Sequence, residues 1–160
     1  MSAIAGIQHE ERAIMMDPTA GLIHVLLVDD DEIARLNARR VLERMPGIGT
    51  VIEAADGAEA LMLLRSGELP QRRLVVMLDL SMPRMGGIET LREIRADSDL
   101  SVIPVVIISR AGEGPELAEA FRLHAAGYIR KPATLGQLVA CLDSFVTYWS
   151  RVEFPARARA

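Results

Sequence analysis

Leu74-Val75-Val76-Met77-Leu78-Asp79-Leu80-Ser81-Met82-Pro83 is the stretch whose reading decides the fold. Its first five residues are apolar without alternation, too short for a helix of ordinary length, and they stop on an aspartate. That is the pattern of a strand buried on both faces, as parallel strands are. Three further runs repeat the arrangement: Leu22 to Val28 ends on Asp29-Asp30, Pro104 to Ile108 ends on Ser109, and Gly127 to Ile129 leads through Arg130 to Lys131. Patterns at helical spacing separate them, so the chain reads as successive βα units. In an open parallel sheet all strand ends of one polarity share one edge, so Asp29, Asp30, Asp79, Ser109 and Lys131 converge there. Carboxylates within ~4 Å repel by roughly 1 to 4 kcal/mol per pair at effective dielectrics between water and a protein surface, so such a pocket wants a cation. An all-oxygen set points to Mg2+.

The intervening helices carry start and stop signals. Asp31 and Glu32 read as cap and first-turn acid of a helix with Ala34, Ala38, Val41, Leu42 and Met45 on one face, stopped by Pro46-Gly47. A weak second strand covers Thr50 to Ala54. Asp56 and Glu59 have capping-box spacing for a helix running through Leu64 and ending near Gly67. The third helix carries Ile88, Leu91 and Ile94. Pro115 suits the first turn of the fourth, whose face reads Leu117, Ala120, Phe121 and His124. The fifth shows a continuous stripe of Leu135, Leu138, Val139, Leu142, Phe145, Val146 and Trp149. Right-handed crossovers then place helices on both faces of the sheet.

Val28-Asp29-Asp30-Asp31, Leu78-Asp79-Leu80-Ser81-Met82-Pro83 with Gly87, Val106-Ile107-Ile108-Ser109 and Gly127-Tyr128-Ile129-Arg130-Lys131-Pro132 together resemble the receiver domain of two-component response regulators, over about residues 22 to 149. The resemblance implies a flavodoxin-like, doubly wound (βα)5 fold with a parallel five-stranded sheet of order 2-1-3-4-5. A narrower similarity, in Gln71 to Arg73, Ile103-Pro104 and the ending Tyr148-Trp149-Ser150-Arg151-Val152-Glu153-Phe154-Pro155, is to the single-domain regulators that serve bacterial phytochromes and related sensor kinases.

What the resemblance implies is a phosphoryl group accepted on Asp79 from a sensor histidine kinase or a histidine phosphotransfer protein, as an acyl phosphate. Asp30, Asp79 and the backbone carbonyl of Ser81 then bind Mg2+ directly, and Asp29 acts through a water. Lys131 and the Ser109 hydroxyl meet phosphoryl oxygens in a largely dissociative transition state. Ser109 and Tyr128 form the switch, the hydroxyl drawing toward the phosphoryl group and vacating space for the ring; read without the family, Tyr128 is a packing aromatic near a strand end. The chain is then a signalling protein whose only turnover is self-phosphotransfer and slow autodephosphorylation. A phosphatase of the haloacid-dehalogenase type wants Asp-x-Asp after the first strand, whereas here the nucleophile follows the third. A receiver fold that no longer uses phosphate is argued against by the intact Asp29, Asp30, Asp79, Ser109 and Lys131.

The sequence departs from the family pattern at three places. Ser109 replaces the more frequent threonine and keeps the hydroxyl. Arg110 stands where a small residue is usual, and its guanidinium covers the phosphoryl site, pairs with it or points to solvent. Gly86-Gly87 replaces an acidic residue and glycine, which is expected to loosen the start of the third helix by up to about 1 kcal/mol.

The remaining features bound the reading. The 160 residues fit an N-terminal extension (1–21), a receiver (22–150) and a C-terminal tail (151–160). No apolar run approaches the ~20 residues of a membrane span, and Met1 to Gly21 lacks a basic start with a signal-peptide core, so a cytoplasmic chain without a membrane or an output domain, acting through protein contacts, is expected. The net charge of -4 gives no nucleic-acid surface, and Arg151, Arg157 and Arg159 read as a solvated tail. Cys141 is a packing residue within a helical pattern, and His24 and His124 lack ligand partners at i+3 or i+4 and read as structural. Gln8-His9-Glu10-Glu11-Arg12 faintly resembles a kinase phosphoacceptor box and reads instead as a polar turn of a short helix with Ile4, Ile7 and Ile14 on its apolar side. Finally, Gln137, Cys141, Ser144 and Tyr148 form a second, semi-polar line on the last helix, and Trp149, Val152 and Phe154 continue apolar at the expected domain end, with Pro155 closing the segment. A homodimer through helix 4, strand 5, helix 5 and this segment is expected, the alternative being a tail folded back on its own domain.

Overall fold

The computed structural model describes residues 21–110 and 114–157. Strands β1 (Ile23–Val28), β2 (Ile48–Ala54), β3 (Leu74–Leu78), β4 (Val105–Ser109) and β5 (Gly127–Arg130) alternate with helices α1 (Glu32–Glu43), α2 (Gly57–Ser66), α3 (Gly87–Ala96), α4 (Pro115–Arg122) and α5 (Leu135–Arg151). All strand pairs are parallel, in the order β2-β1-β3-β4-β5. This is the expected doubly wound sheet. The stretch around His9 lies outside the described residues.

The period of two along each central strand builds two cores. Leu26, Val28, Val76, Leu78, Val105 and Ile107 face one side, with Leu61 and Leu64 of α2, Leu91 and Ile94 of α3 and Ala120 of α4. Val25, Leu27, Val75, Met77, Val106 and Ile108 face the other, with Leu42 of α1 and Leu142, Phe145, Val146 and Trp149 of α5. Each such fully buried side chain is worth about 1.5–3 kcal/mol, which explains why β1, β3 and β4 carry no polar residue on either face except His24 and the strand-end Ser109. His24 Nδ1 accepts from the backbone N–H of Thr50 at 3.0 Å, so this histidine is structural, as expected.

Caps fix the helix starts. Asp31 Oδ1 accepts from Ile33 N and Ala34 N, and Asp56 Oδ1 accepts from Glu59 N at 2.8 Å. Glu59 returns to Ala55 N at 2.7 Å, one residue before the cap. Gly67 closes α2 at φ 78°, in the left-handed region that glycine adopts without strain.

Three expectations need correction. The second strand begins at Ile48, two residues before Thr50, because Ile48 pairs with Ile23 across an irregularity in the β1–β2 register. The fourth helix ends at Arg122; His124 lies beyond it, exposed and at φ 57°, and Phe121 is half-exposed, while Leu123 and Ala125 pack on the core in their place. Arg95 of α3 causes that ending, since its guanidinium donates to Leu123 O and His124 O and also to Ser101 O and Ile103 O. On α5 the stripe is buried only from Leu142 onward; Leu135 and Val139 are exposed.

The ending folds back. Phe154 lies 5.4 Å from Trp149 between ring centroids, Val152 and Phe154 pack on the α1/α5 core, and the Arg73 guanidinium sits 4.8 Å over the Phe154 ring. Arg73 also donates to Trp149 O at 3.0 Å, satisfying a carbonyl of the last turn of α5. Arg73 and the segment from Trp149 to Phe154, far apart in sequence, are thus one packing unit.

Candidate functional site

The sheet ladder continues past the strands and so fixes the site. Asp29 N donates to Ala54 O at 3.2 Å, Asp79 N to Val28 O at 2.9 Å, and Lys131 N to Ser109 O at 2.9 Å. Each residue is thereby held by a neighbouring strand at the carboxyl edge. The carboxylate oxygens of Asp29, Asp30 and Asp79 lie within 4.8 Å of one another. Asp29 and Asp79 are buried and Asp30 is exposed. The Lys131 ammonium joins the two buried members, contacting Asp29 Oδ2 and, at 3.2 Å, Asp79 Oδ2.

The remaining oxygens are oriented by backbone. Asp31 N donates to Asp29 Oδ1 at 2.9 Å and Ser81 N to Asp79 Oδ1 at 3.2 Å. Burial pushes the Asp79 carboxyl above the ordinary aspartate value, with the Asp29 charge acting in the same direction and Lys131 opposing both. Burial lowers the affinity of Lys131 for its proton, but the Asp29 and Asp79 carboxylates outweigh it and leave the ammonium held above its ordinary value. Two buried carboxylates share one ammonium. The deficit of positive charge, and an oxygen-only donor set open on the Asp30 side, fit a hard divalent cation.

Ser109 is fully buried, and its hydroxyl has no hydrogen-bond partner among the described residues. An unmet buried hydroxyl costs about 1–3 kcal/mol, a deficit that a phosphoryl oxygen can remove. Tyr128 lies on β5 opposite Ile107, partly buried against the α2–α4 core. Ser81 is exposed, two residues past Asp79. Arg110 is 80% exposed, with Nη2 3.9 Å from Asp31 Oδ2.

Two contributions were missed from sequence. Arg35 Nη1 donates to Asp29 O at 2.6 Å while its Nε lies 3.5 Å from Glu53 Oε1, so α1 grips the peptide that joins Asp29 to Asp30. An arginine on the second turn of a helix ordinarily reads as solvated, and only its place six residues after the aspartate hints otherwise. Gly87 is the second. A Cβ there would lie 2.3 Å from Asp79 O and 2.6 Å from Leu80 Cα, and Gly87 N donates to Leu80 O at 3.1 Å. The glycine is therefore the close approach that seats α3 against the Asp79 loop, rather than only a source of looseness.

Comparison with known proteins agrees with this geometry. A family model described as response regulator receiver domain matches residues 25–143. Response regulator UvrY of Escherichia coli (strain K12) is 37% identical over 124 residues, covering 77% of this chain and 54% of that protein. The chain spans about half the length of that relative. The crystal structure of the phosphorylated cyanobacterial phytochrome response regulator RcpA superposes with a TM-score of 0.76 at 27% identity, covering 84% of this chain and 99% of the other. The Mn(2+)-bound form of response regulator Rcp1 superposes with a TM-score of 0.73 at 27% identity, with the same coverage.

Proposed function

This chain belongs to the response regulator receiver family, and from that membership we propose that it accepts a phosphoryl group on Asp79 from a sensor histidine kinase or a histidine phosphotransfer protein. The observation that carries the reading is the buried Asp79 carboxylate, held at a strand end between Lys131 and two further aspartates. Its nearest alternative use, capping a helix, is not made: α3 is capped at Gly86 without a side-chain bond.

In the proposed reaction an Asp79 oxygen attacks the donor phosphorus, the phosphorus–nitrogen bond of the phosphohistidine breaks, and the nitrogen leaves with the electron pair. Lys131 opposes the effect of burial on the Asp79 carboxyl, favouring its ionised form, and then shares its charge with the transferred group. The Ser109 hydroxyl donates to another phosphoryl oxygen. Asp30, Asp79 and the Ser81 carbonyl would hold Mg2+, with Asp29 reaching it indirectly; when bound, the ion supplies positive charge to the phosphoryl oxygens. Arg35 keeps the Asp29–Asp30 peptide in register for that role. The fitted donor set and the Mn(2+)-bound Rcp1 neighbour support the cation.

The finer reading is of a phytochrome-type regulator in the cytoplasm whose folded unit is residues 22–150, with 1–21 and 151–160 as extensions. It signals by protein contacts, with self-phosphotransfer and slow autodephosphorylation as its only chemistry. Likeness to RcpA, together with the sequence resemblance of the Tyr148 to Pro155 ending to such regulators, supports the phytochrome assignment. Among the described residues no helix is long and apolar enough to cross a membrane. Ser109 and Tyr128 are the switch pair, and the face of α4, β5 and α5, where Phe121 and Tyr148 are exposed, is the homodimer surface. The fold-back of Val152 and Phe154 limits the tail's part in that contact to shaping α5. The deciding experiment is incubation with acetyl phosphate and Mg2+: the natural chain acquires a base-labile label and Asp79→Asn does not. Equal label in both overturns the reading.

A further inference from the structure

Arg110 occupies a position over the phosphorylation site that the sheet geometry defines. Val75 and Met77 of β3, Val106 and Ile108 of β4, and Ile129 of β5 face the α1/α5 side. Continuing the alternation brings Asp79, Arg110 and Lys131 to that same side. The β3–β4 register pairs Leu78 with Ile107, so Asp79 is level with Ile108, and Arg110 stands two residues, about 7 Å, further out on the neighbouring strand. A guanidinium spans that distance.

Its present partner holds it loosely. Asp31 uses Oδ1 to cap α1 and offers only Oδ2, 3.9 Å away, in a contact that is exposed on both sides. Exposed pairs of this kind contribute about 0–1 kcal/mol. A cavity of about 250 Å3 opens beside the pair and is lined by Asp29, Asp31, Arg110 and Lys131 together with Ile33 and Leu135. The guanidinium therefore has both room and a weak tether.

We propose that Arg110 is a shielding residue for the acyl phosphate: on phosphorylation of Asp79 it leaves Asp31 for the outer phosphoryl oxygens and blocks the approach of water. The phosphoryl group, with close to two negative charges and three acceptor oxygens, outcompetes one exposed carboxylate for a planar donor fork. Hydrolysis needs in-line attack. The water oxygen forms the new bond to phosphorus from the side opposite Asp79, the phosphorus–oxygen bond to Asp79 breaks with its electron pair returning to the carboxylate, and the water proton passes to solvent. That side is the outward one, where the strand register puts Arg110. Asp31 thereby sets the lifetime by competing for the guanidinium.

This inference rests on Asp79 being the acceptor. The test loads the full chain with radiolabelled acetyl phosphate and Mg2+, removes the donor and follows loss of label. Arg110→Ala is expected to shorten the half-life by roughly tenfold. Asp31→Asn, which keeps the cap but not the charge, is expected to lengthen it, and the double variant is expected to decay like Arg110→Ala. An unchanged or longer half-life in Arg110→Ala overturns the shielding role, and an unchanged one in Asp31→Asn overturns the exchange of partners. Unchanged melting temperature shows that the folds are comparable. Failure of the acceptor assignment is distinct, because then the natural chain takes no label or Asp79→Asn takes as much.

Discussion

At the scale of single residues, the site is a place where the fold accepts instability. The Asp79 carboxyl has a raised proton affinity in the folded chain, so its contribution to stability is complete below the ordinary aspartate value and is lost as pH rises through the raised one. At neutral pH the ionised group therefore works against folding. Asp79→Asn removes it without changing shape, and the expected outcome is a chain stabilised by about 1 kcal/mol, the size of one screened carboxylate repulsion, or ~4 °C in melting temperature for a domain of this length. Thermal melts in the presence of a chelator check this, and the difference between the two chains is expected to shrink as pH falls through the raised Asp79 value and to be gone below the ordinary aspartate value. Added Mg2+ is expected to raise the melting temperature of the natural chain more than that of Asp30→Asn, since an ion that binds only the folded state stabilises by mass action. Asp29, Asp30, Asp79 and Lys131 were legible in the sequence because each ends an apolar run, and a parallel sheet gathers such ends. Arg35 was not legible, because nothing in a helical arginine distinguishes a grip on a backbone carbonyl from exposure to water.

Individual elements were legible to the extent that their boundaries are set locally. The caps at Asp31 and Asp56, the proline opening α4 and the glycine closing α2 act within one turn and were read correctly. The end of α4 is not legible locally, because Arg95, on another helix, binds the carbonyls of Leu123 and His124 just past it. At the start of α5 the Thr134 hydroxyl accepts from Gln137 N while Gln137 Oε1 accepts from Ala133 N, a capping pair whose spacing is visible in the sequence. Two predictions belong to this scale. Gly87→Ala forces a methyl into the backbone of Asp79 and Leu80, and a loss of about 1–3 kcal/mol is expected together with slower labelling by acetyl phosphate, because the acceptor loop must move. Arg73→Ala removes both the bond to Trp149 O and the contact with the Phe154 ring, and a loss of about 1–2 kcal/mol is expected. Urea titration followed by Trp149 fluorescence measures each loss as a shift of midpoint at constant slope.

For the molecule as a whole, order and direction of strands were legible together because a βα repeat admits few topologies once crossovers are right-handed. The ending was harder to read, since an apolar segment past the last helix has the same sequence whether it meets its own domain or a second copy. In this chain Phe154 packs between Trp149 and Arg73. The half-exposed Phe121 and Tyr148 remain as the apolar surface of the proposed pairing face, and sedimentation is expected to give a dimer that Tyr148→Glu converts to a monomer. The proposed phosphotransfer and its regulation depend on one acceptor at one strand end. Borohydride reduction of the phosphorylated chain turns an aspartyl phosphate into homoserine, which peptide sequencing then locates. Homoserine at position 79 alone is the predicted result, and homoserine at position 29 or 30, or at none, would contradict the account.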